Sequence, residues 1–123
     1  MHVDPAATRS LITKLRATGG RGPWLAVLSE LLALAHGGAR LLHHEERPWS
    51  SATFSGSRHR FAFEFVGEDA IAKGEHWLEA LPEHEFTIPG QLVADARIAK
   101  VEHAMTPGPR LAVEAEVLLL LDD

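Results

Sequence analysis

The feature that most constrains the fold is an alternation of apolar residues near the end of the chain. Every second residue between 110 and 121 is apolar: Leu111, Val113, Ala115, Val117, Leu119 and Leu121. Side chains two residues apart lie on the same face of a β-strand, so this spacing predicts a strand with one buried face. Glu114 and Glu116 fall on the other face, and Leu118 and Leu120 predict burial of both faces near the end of the strand.

A second alternation predicts another strand in the middle of the chain. The segment 59–66 carries phenylalanine at every second position: Phe61, Phe63 and Phe65. The Ser-Gly-Ser-Arg sequence at 55–58 is typical of a tight hairpin turn, which implies a strand directly before it. A further strand is expected over residues 40–46 and should end at Arg47-Pro48, because proline cannot donate to a strand ladder.

Helical spacing and turn residues organise the rest of the chain. Three helices are predicted: one that begins at Asp4-Pro5 and ends at the glycines from Gly19, one over 24–35, and one over 68–81 that ends at Pro82. A closing hairpin is predicted from residues 92–104, a turn at 106–109 and the strand 110–121. The element order is therefore ααβββαββ in a single α+β domain spanning residues 1–123.

Such an order predicts an antiparallel sheet of about five strands with helices packed on one face. In element order alone the chain resembles the type III secretion chaperones, which are small acidic dimers that hold unfolded segments of partner proteins. That resemblance implies a protein partner and a dimer, and no sequence motif accompanies it.

Composition excludes several classes of protein. The chain has 123 residues, a formal net charge of −5 and no cysteine, so zinc fingers, thiol nucleophiles and disulfide scaffolds are excluded. Net acidity argues against nucleic-acid binding, and no apolar run approaches the roughly 20 residues that span a membrane. Arginine outnumbers lysine nine to three, as in proteins from GC-rich bacterial genomes. We expect a bacterial, cytoplasmic protein without a cofactor.

One segment concentrates positive charge, hydroxyl groups and an aromatic ring in this acidic chain. The candidate ligand-binding residues are Arg47, Trp49, Thr53, Arg58 and Arg60. Arginines bind carboxylate or phosphate groups through two parallel hydrogen bonds, so the segment predicts a site for a small anion. With the turn at 55–58, Thr53 should lie opposite Arg60, and Trp49 should lie near Glu64. The alternative is a hairpin whose arginines are merely exposed.

Histidines beside carboxylates suggest a second class of function. The eight histidines include His43, which shares a strand face with Glu45, and His76, which shares a helix face with Glu79. These four residues could serve a small enzyme or a metal-binding protein, although no metal-ligand spacing, nucleophile elbow or phosphate-binding loop is present. His43 and His44 should point to opposite faces of their strand.

The favoured interpretation is a non-enzymatic module that binds a protein partner or a small anionic ligand. If the sheet face opposite the helices leaves Trp49, Leu118 or Leu120 partly exposed, a two-fold partner would cover it. We therefore expect a homodimer formed through the sheet or its edge strand. The alternative is the enzyme or metal-binding protein that uses the His/Glu residues.

Overall fold

The computed structural model describes residues 22–121 and shows a mixed α+β fold. Its elements are α1 (Trp24–Leu34), β1 (Arg40–Ser50), β2 (Ser55–Val66), α2 (Glu68–Ala80), a 3₁₀ turn (Leu81–Glu83), β3 (Gln91–Ala104) and β4 (Arg110–Leu121). These confirm the two predicted helices after residue 22 and the closing hairpin. The helix predicted from Asp4 lies outside the described residues. Neither α1 nor α2 has the length and apolar content that a membrane-crossing helix needs.

The four strands form one antiparallel sheet in the order β1-β2-β4-β3. Because β2 and β3 are both antiparallel to β4, which lies between them, they are parallel to each other. The segment β2-α2-β3 is therefore a split β-α-β unit, with the helix crossing over the central strand. The two edges of the sheet are β1 and β3.

The prediction of about five strands in the order ααβββαββ is wrong by one strand. β1 continues without a break through Pro48, which lies opposite Ser57. A proline is tolerated there because β1 is an edge strand, and half of the backbone groups of such a strand face away from the sheet. The described order is αββαββ, so the resemblance in element order to the type III secretion chaperones does not hold.

The turn between β1 and β2 is formed by residues 51–54 and not by 55–58. The Ser51 hydroxyl oxygen accepts hydrogen bonds from two backbone N–H groups of the turn, at 3.3 and 3.1 Å. Gly56 lies inside β2, where an added Cβ would stand 1.8 Å from the carbonyl oxygen of Leu119. The glycine is therefore needed for close approach of two strands, and not for a turn.

The core lies between the sheet and the two helices. Phenylalanine and aliphatic side chains of β2 and β4 face the helices: Phe61, Phe63, Phe65, Leu111, Val113, Ala115, Val117 and Leu119. Trp77 of α2 is fully buried, and its Nε1 donates a hydrogen bond to the carbonyl oxygen of Leu31 in α1 (3.1 Å). At Gly74 a Cβ would stand 2.8 Å from the side chains of Phe65 and Leu111, so α2 packs unusually close to the sheet.

The opposite face of the sheet, here called the open face, presents the even-numbered residues of β2 and β4. Several of its side chains are substantially exposed, among them those of Arg60, Arg97 and Lys100. No described helix lies on this face. The fold therefore separates an apolar helix side from a charged open face, and the alternation of each strand places neighbouring residues on opposite sides.

Candidate functional site

A buried carboxylate at the centre of the open face is bound by three arginines. Glu116 is only 8% exposed, and its Oε2 accepts hydrogen bonds from Arg60 Nη2 at 2.8 Å and Arg97 Nη2 at 3.2 Å. Arg58 Nη1 lies 3.5 Å from the other oxygen, Oε1. Burial raises the pKa of Glu116, but the Arg60 hydrogen bond and the charge of Arg97 outweigh it and hold the pKa below its usual value. The carboxylate is therefore ionised at neutral pH and fixes the arginines around it.

A second buried carboxylate lies further along β2 on the same face. Arg110 Nε donates a hydrogen bond to Glu64 Oε2 at 2.7 Å, and Arg40 Nη2 lies 2.5 Å from Oε1. Burial raises the pKa of Glu64, but the hydrogen bond from Arg110 and the charge of Arg40 hold it below the usual value. These contacts connect β1, β2 and β4, so the open face carries a network of ion pairs.

Beside Glu116 the open face has a depression of about 180 Å³, here called the arginine depression. Its lining residues are Glu45, Arg47, Arg58, Arg60 and Glu116. Arg47 and Arg58 lie directly opposite each other on paired strands, an arrangement in which like charges repel. Among residues 22–121, no carboxylate lies within 4 Å of the Arg47 guanidinium. The depression therefore holds a guanidinium group with no ion pair to any described residue.

The structure brings together three of the five residues predicted to bind a ligand. Arg47, Arg58 and Arg60 line the arginine depression. Trp49 lies two residues along β1 on the same face, but opposite Gly56 and not near Glu64 as predicted. Thr53 lies in the exposed turn and not opposite Arg60, because the turn is placed four residues earlier than predicted. Instead, Arg60 lies opposite Glu45 on β1 and Glu116 on β4.

One end of the sheet is apolar. Leu120 is 7% exposed and lies opposite Gly56 and Leu92, and Trp49 and Leu118 are half-buried beside it. The exposed apolar side chains at this end are Phe54 (50%), Leu92 (53%) and Leu121 (54%). Leu118 and Leu120 lie on the open face and border the arginine depression, whereas Leu121 lies on the helix side at the same end of the sheet; these six residues are here called the apolar end.

The four His/Glu residues of the alternative function do not form one site. His43 Nε2 lies 3.1 Å from Glu45 Oε1 on the open face, and this hydrogen bond holds the pKa of Glu45 below its usual value. His76 and Glu79 are exposed on α2, which packs against the other side of the sheet. Within residues 22–121, no three His, Asp or Glu side chains are arranged as ligands of a metal ion.

A chain of hydrogen bonds that the sequence did not predict lies on the helix side of the sheet. His59 of β2 is fully buried, and its Nε2 lies 2.7 Å from Ser57 Oγ. Its Nδ1 lies 2.9 Å from His44 Nε2 and 3.9 Å from Glu46 Oε1. The His44 ring is nearly parallel to that of His59 (10°) and stacks on Trp24 of α1 with 4.2 Å between centroids. The structure thus places His44 and His43 on opposite faces of β1.

Both rings of this chain are neutral at physiological pH. Burial lowers the pKa of His59 to about 4. Burial, followed by the neighbouring charge of His59, lowers the pKa of His44 to about 4 as well. Each ring therefore has one nitrogen that donates and one that accepts.

The sequence contained a partial signal for the Ser57–His59–His44 chain and for the arginines around Glu116. Ser57 and His59 are two residues apart, so a strand through them places both side chains on one face. Assigning Ser57 to a turn concealed that relation. Glu116 was assigned to the polar face of its strand, but its contacts with Arg58 and Arg60 depend on the pairing of β2 with β4. That pairing joins segments about fifty residues apart and leaves no local pattern.

Comparisons with known proteins give a fold and no family. No protein family matches the chain, and no curated protein matches it. A chain of the virion of a native gene transfer agent particle is similar in structure, with a TM-score of 0.56, 13% identity, and coverage of 73% of this chain and 84% of that chain. The type 4 fimbrial biogenesis protein PilO from Pseudomonas aeruginosa matches with a TM-score of 0.37, 16% identity, and coverage of 90% and 78%. At 13% identity the first likeness shows the fold alone.

Proposed function

We propose that this protein is a binding module that holds an anionic group, a carboxylate or a phosphate, in the arginine depression. The observation that carries the proposal is the Arg47 guanidinium, which has no ion pair to any described residue and lies opposite Arg58. Like charges that face each other directly across two paired strands are destabilising. An anion between them would replace that repulsion with two charge-assisted contacts.

The charges around the depression support this proposal. Three guanidinium groups line it against two carboxylates, so its local charge is positive although the whole chain has a net charge of −5. Glu116 holds Arg58 and Arg60 in place from below, which lowers the entropy that an incoming anion would have to remove. The apolar end beside the depression suits an anion carried on a partly apolar partner, such as an acidic segment of a protein.

The test is thermal unfolding with citrate and with inorganic phosphate, against sodium chloride at matched ionic strength. An anion present at about ten times its Kd should stabilise the protein by about 1.4 kcal/mol. Arg47→Ala should leave the melting temperature without ligand nearly unchanged, because Arg47 has no ion pair to lose among the described residues. The same substitution should remove most of the citrate- or phosphate-dependent shift.

Arg97→Ala is the matched control. Arg97 binds the same Glu116 but does not line the depression, so its loss should lower the basal melting temperature slightly and preserve the anion-dependent shift. The proposal fails if neither anion stabilises the wild-type protein more than chloride does. It also fails if Arg97→Ala and Arg47→Ala reduce the shift equally.

We further propose that the protein acts in the cytoplasm as a homodimer, with the apolar end as the contact between two copies. Phe54, Leu92 and Leu121 are each about half exposed there, and closing such a surface with a two-fold partner is the commonest arrangement. A similarly folded chain is part of a gene transfer agent virion, which supports a role in protein contacts. Sedimentation at micromolar concentration should show a dimer that Leu92→Asp dissociates. A wild-type monomer would contradict this proposal.

A further inference from the structure

A second site is formed on the helix side of the sheet, by residues that the anion proposal does not use. Ser57 Oγ lies 2.7 Å from His59 Nε2, and His59 Nδ1 lies 2.9 Å from His44 Nε2. A hydroxyl hydrogen-bonded to an imidazole that a third group orients is the arrangement that activates a serine as a nucleophile. We propose that Ser57 is a nucleophile, His59 its general base and His44 the residue that positions His59, in a site that accepts acyl groups from small apolar esters.

The direction of the protons in this chain supports the assignment. A neutral imidazole has one N–H, so His59 must donate at one nitrogen and accept at the other. The Glu46 carboxylate lies 3.9 Å from Nδ1, and its negative charge favours the tautomer with the proton on Nδ1. In that tautomer Nδ1–H donates to His44 Nε2, and the lone pair of Nε2 accepts the proton of the Ser57 hydroxyl. His59 is then in the form that a general base needs.

The chain of residues is rigidly held. His44 stacks on Trp24 at 4.2 Å and on Phe61 at 4.7 Å between ring centroids, so its orientation is fixed by packing. His59 is completely buried, on β2 between the paired strands β1 and β4. A hydrogen-bonded pair that is already aligned requires little reorganisation when the nucleophile reacts.

The surroundings of Ser57 define the class of substrate. Ser57 is half-buried and lies between Pro48 of β1 and Leu119 of β4, both of which are apolar. Leu119 is fully buried, so an apolar acyl group would contact the exposed ring of Pro48, without loss of a polar partner. The arginines of the depression lie on the other face of the sheet, so an anionic acyl group would find no counter-charge from them.

The reaction is acyl transfer to serine followed by hydrolysis. The Ser57 oxygen forms a bond to the ester carbonyl carbon, and its proton passes to His59 Nε2. The bond from that carbon to the leaving alcohol breaks, and the alcohol departs with the proton. Water then attacks the acyl-serine and gives a proton to His59, which returns it to the Ser57 oxygen as the carboxylic acid is released.

The experiment uses p-nitrophenyl acetate as the ester and peptide mass mapping to locate the acetyl group. The wild-type protein should acetylate at Ser57 in an initial burst of one equivalent of nitrophenolate, followed by slower release as the acyl-serine is hydrolysed. Ser57→Ala should abolish that adduct, and His59→Gln should slow its formation by about 10²-fold or more, as expected on loss of a general base. Ser55→Ala is the matched control, because Ser55 lies on the same strand and face without a histidine partner among the described residues, and its loss should change nothing.

His44 is tested by two replacements that separate positioning from packing. His44→Phe keeps the stacking on Trp24 but removes the acceptor for His59 Nδ1–H, so the acetylation rate should fall, and the unpaired buried N–H should also lower the free energy of unfolding by about 1–3 kcal/mol. His44→Gln retains an acceptor oxygen and should keep more of the rate. Acetylation of Ser57 no faster than that of Ser55 in the wild-type protein would overturn the proposal, even if His59→Gln failed to fold. Absence of any adduct at Ser57 would also overturn it, whatever the outcome of the citrate and phosphate experiments.

Discussion

Lowering the pH from 7 to 4.5 should remove about 5 kcal/mol from the free energy of unfolding, about half of it from each of the histidines His59 and His44. Burial lowers the pKa of His59 from 6.5 to about 4. Between those two values the unfolded chain binds a proton that the folded chain does not, so stability is complete above pH 6.5 and falls as the pH drops towards 4. A difference of about 2.5 in pKa corresponds to about 3 kcal/mol, and His44 acts in the same direction.

The carboxylates lose their contribution in a different range of pH. The pKa values of Glu64 and Glu116 are lowered in the folded protein, so their stabilisation is present above pH 4.5 and is lost only as the pH falls through those lowered values. Loss of stability between pH 6.5 and 4.5 therefore reports on the histidines. Urea unfolding at pH 7.5, 6.5, 5.5 and 4.5 measures it, and with an m-value of about 1.5 kcal/mol/M the midpoint should fall by about 3 M.

Two variants identify the cause of this pH dependence. His59→Gln removes one of the two titrating groups and should remove at least half of the slope, whatever its effect on the absolute stability. Ser57→Ala removes the hydrogen bond at Nε2 but leaves His59 buried, and burial is what lowers its pKa, so the slope should remain. A wild-type free energy of unfolding that is constant between pH 7 and 4.5 would refute the reasoning, as would an unchanged slope in His59→Gln.

Two further substitutions test the ion pairs of Glu116 and the packing of α2 against the sheet. Glu116→Gln should lower the free energy of unfolding by about 1–2 kcal/mol, because two charge-assisted hydrogen bonds from partly exposed arginines are weakened; an unchanged urea midpoint would contradict this. Gly74→Ala should lower the free energy of unfolding by about 1 kcal/mol in urea unfolding. Crowding of the added Cβ against Phe65 costs about 1–3 kcal/mol, which outweighs a gain of about 1 kcal/mol in helix propensity. A Gly74→Ala variant more stable than the wild-type protein would show that α2 can move away from the sheet.

Local periodicity predicted most of the elements of this fold. The two helices after residue 22 and the strand with Leu111 to Leu119 on one face follow from spacings of 3.6 and 2 residues, which need no knowledge of distant segments. The turn after β1 was misplaced because a glycine between two serines is equally compatible with a positive φ and with a close approach of strands. Gly56 serves the second purpose, and only the pairing of β2 with β4 shows it.

The same limit applies to the candidate site. Arg47, Arg58 and Arg60 could be placed on one face because they belong to one hairpin, and correcting the register did not separate them. Glu116, the carboxylate that fixes two of them, comes from β4 and depends on a contact between distant parts of the chain. Sequence patterns therefore found the cations of the site but not the anion that orders them.

The alternation of β2 makes the two proposed sites independently testable. Ser57 and His59 face the helices, whereas Arg58 and Arg60 face the other way, so neighbouring residues serve different sites through a sheet one strand thick. Arg47→Ala should remove most of the citrate shift and leave acetylation of Ser57 intact, and Ser57→Ala should abolish the acetylation and leave the citrate shift intact. Loss of both properties in Arg47→Ala would mean that the substitution acts on the pairing of β1 with β2, since a register slip of one residue exchanges the two faces of a strand. Hydrogen exchange across that hairpin would then show reduced protection, whereas two separate sites require it to be unchanged.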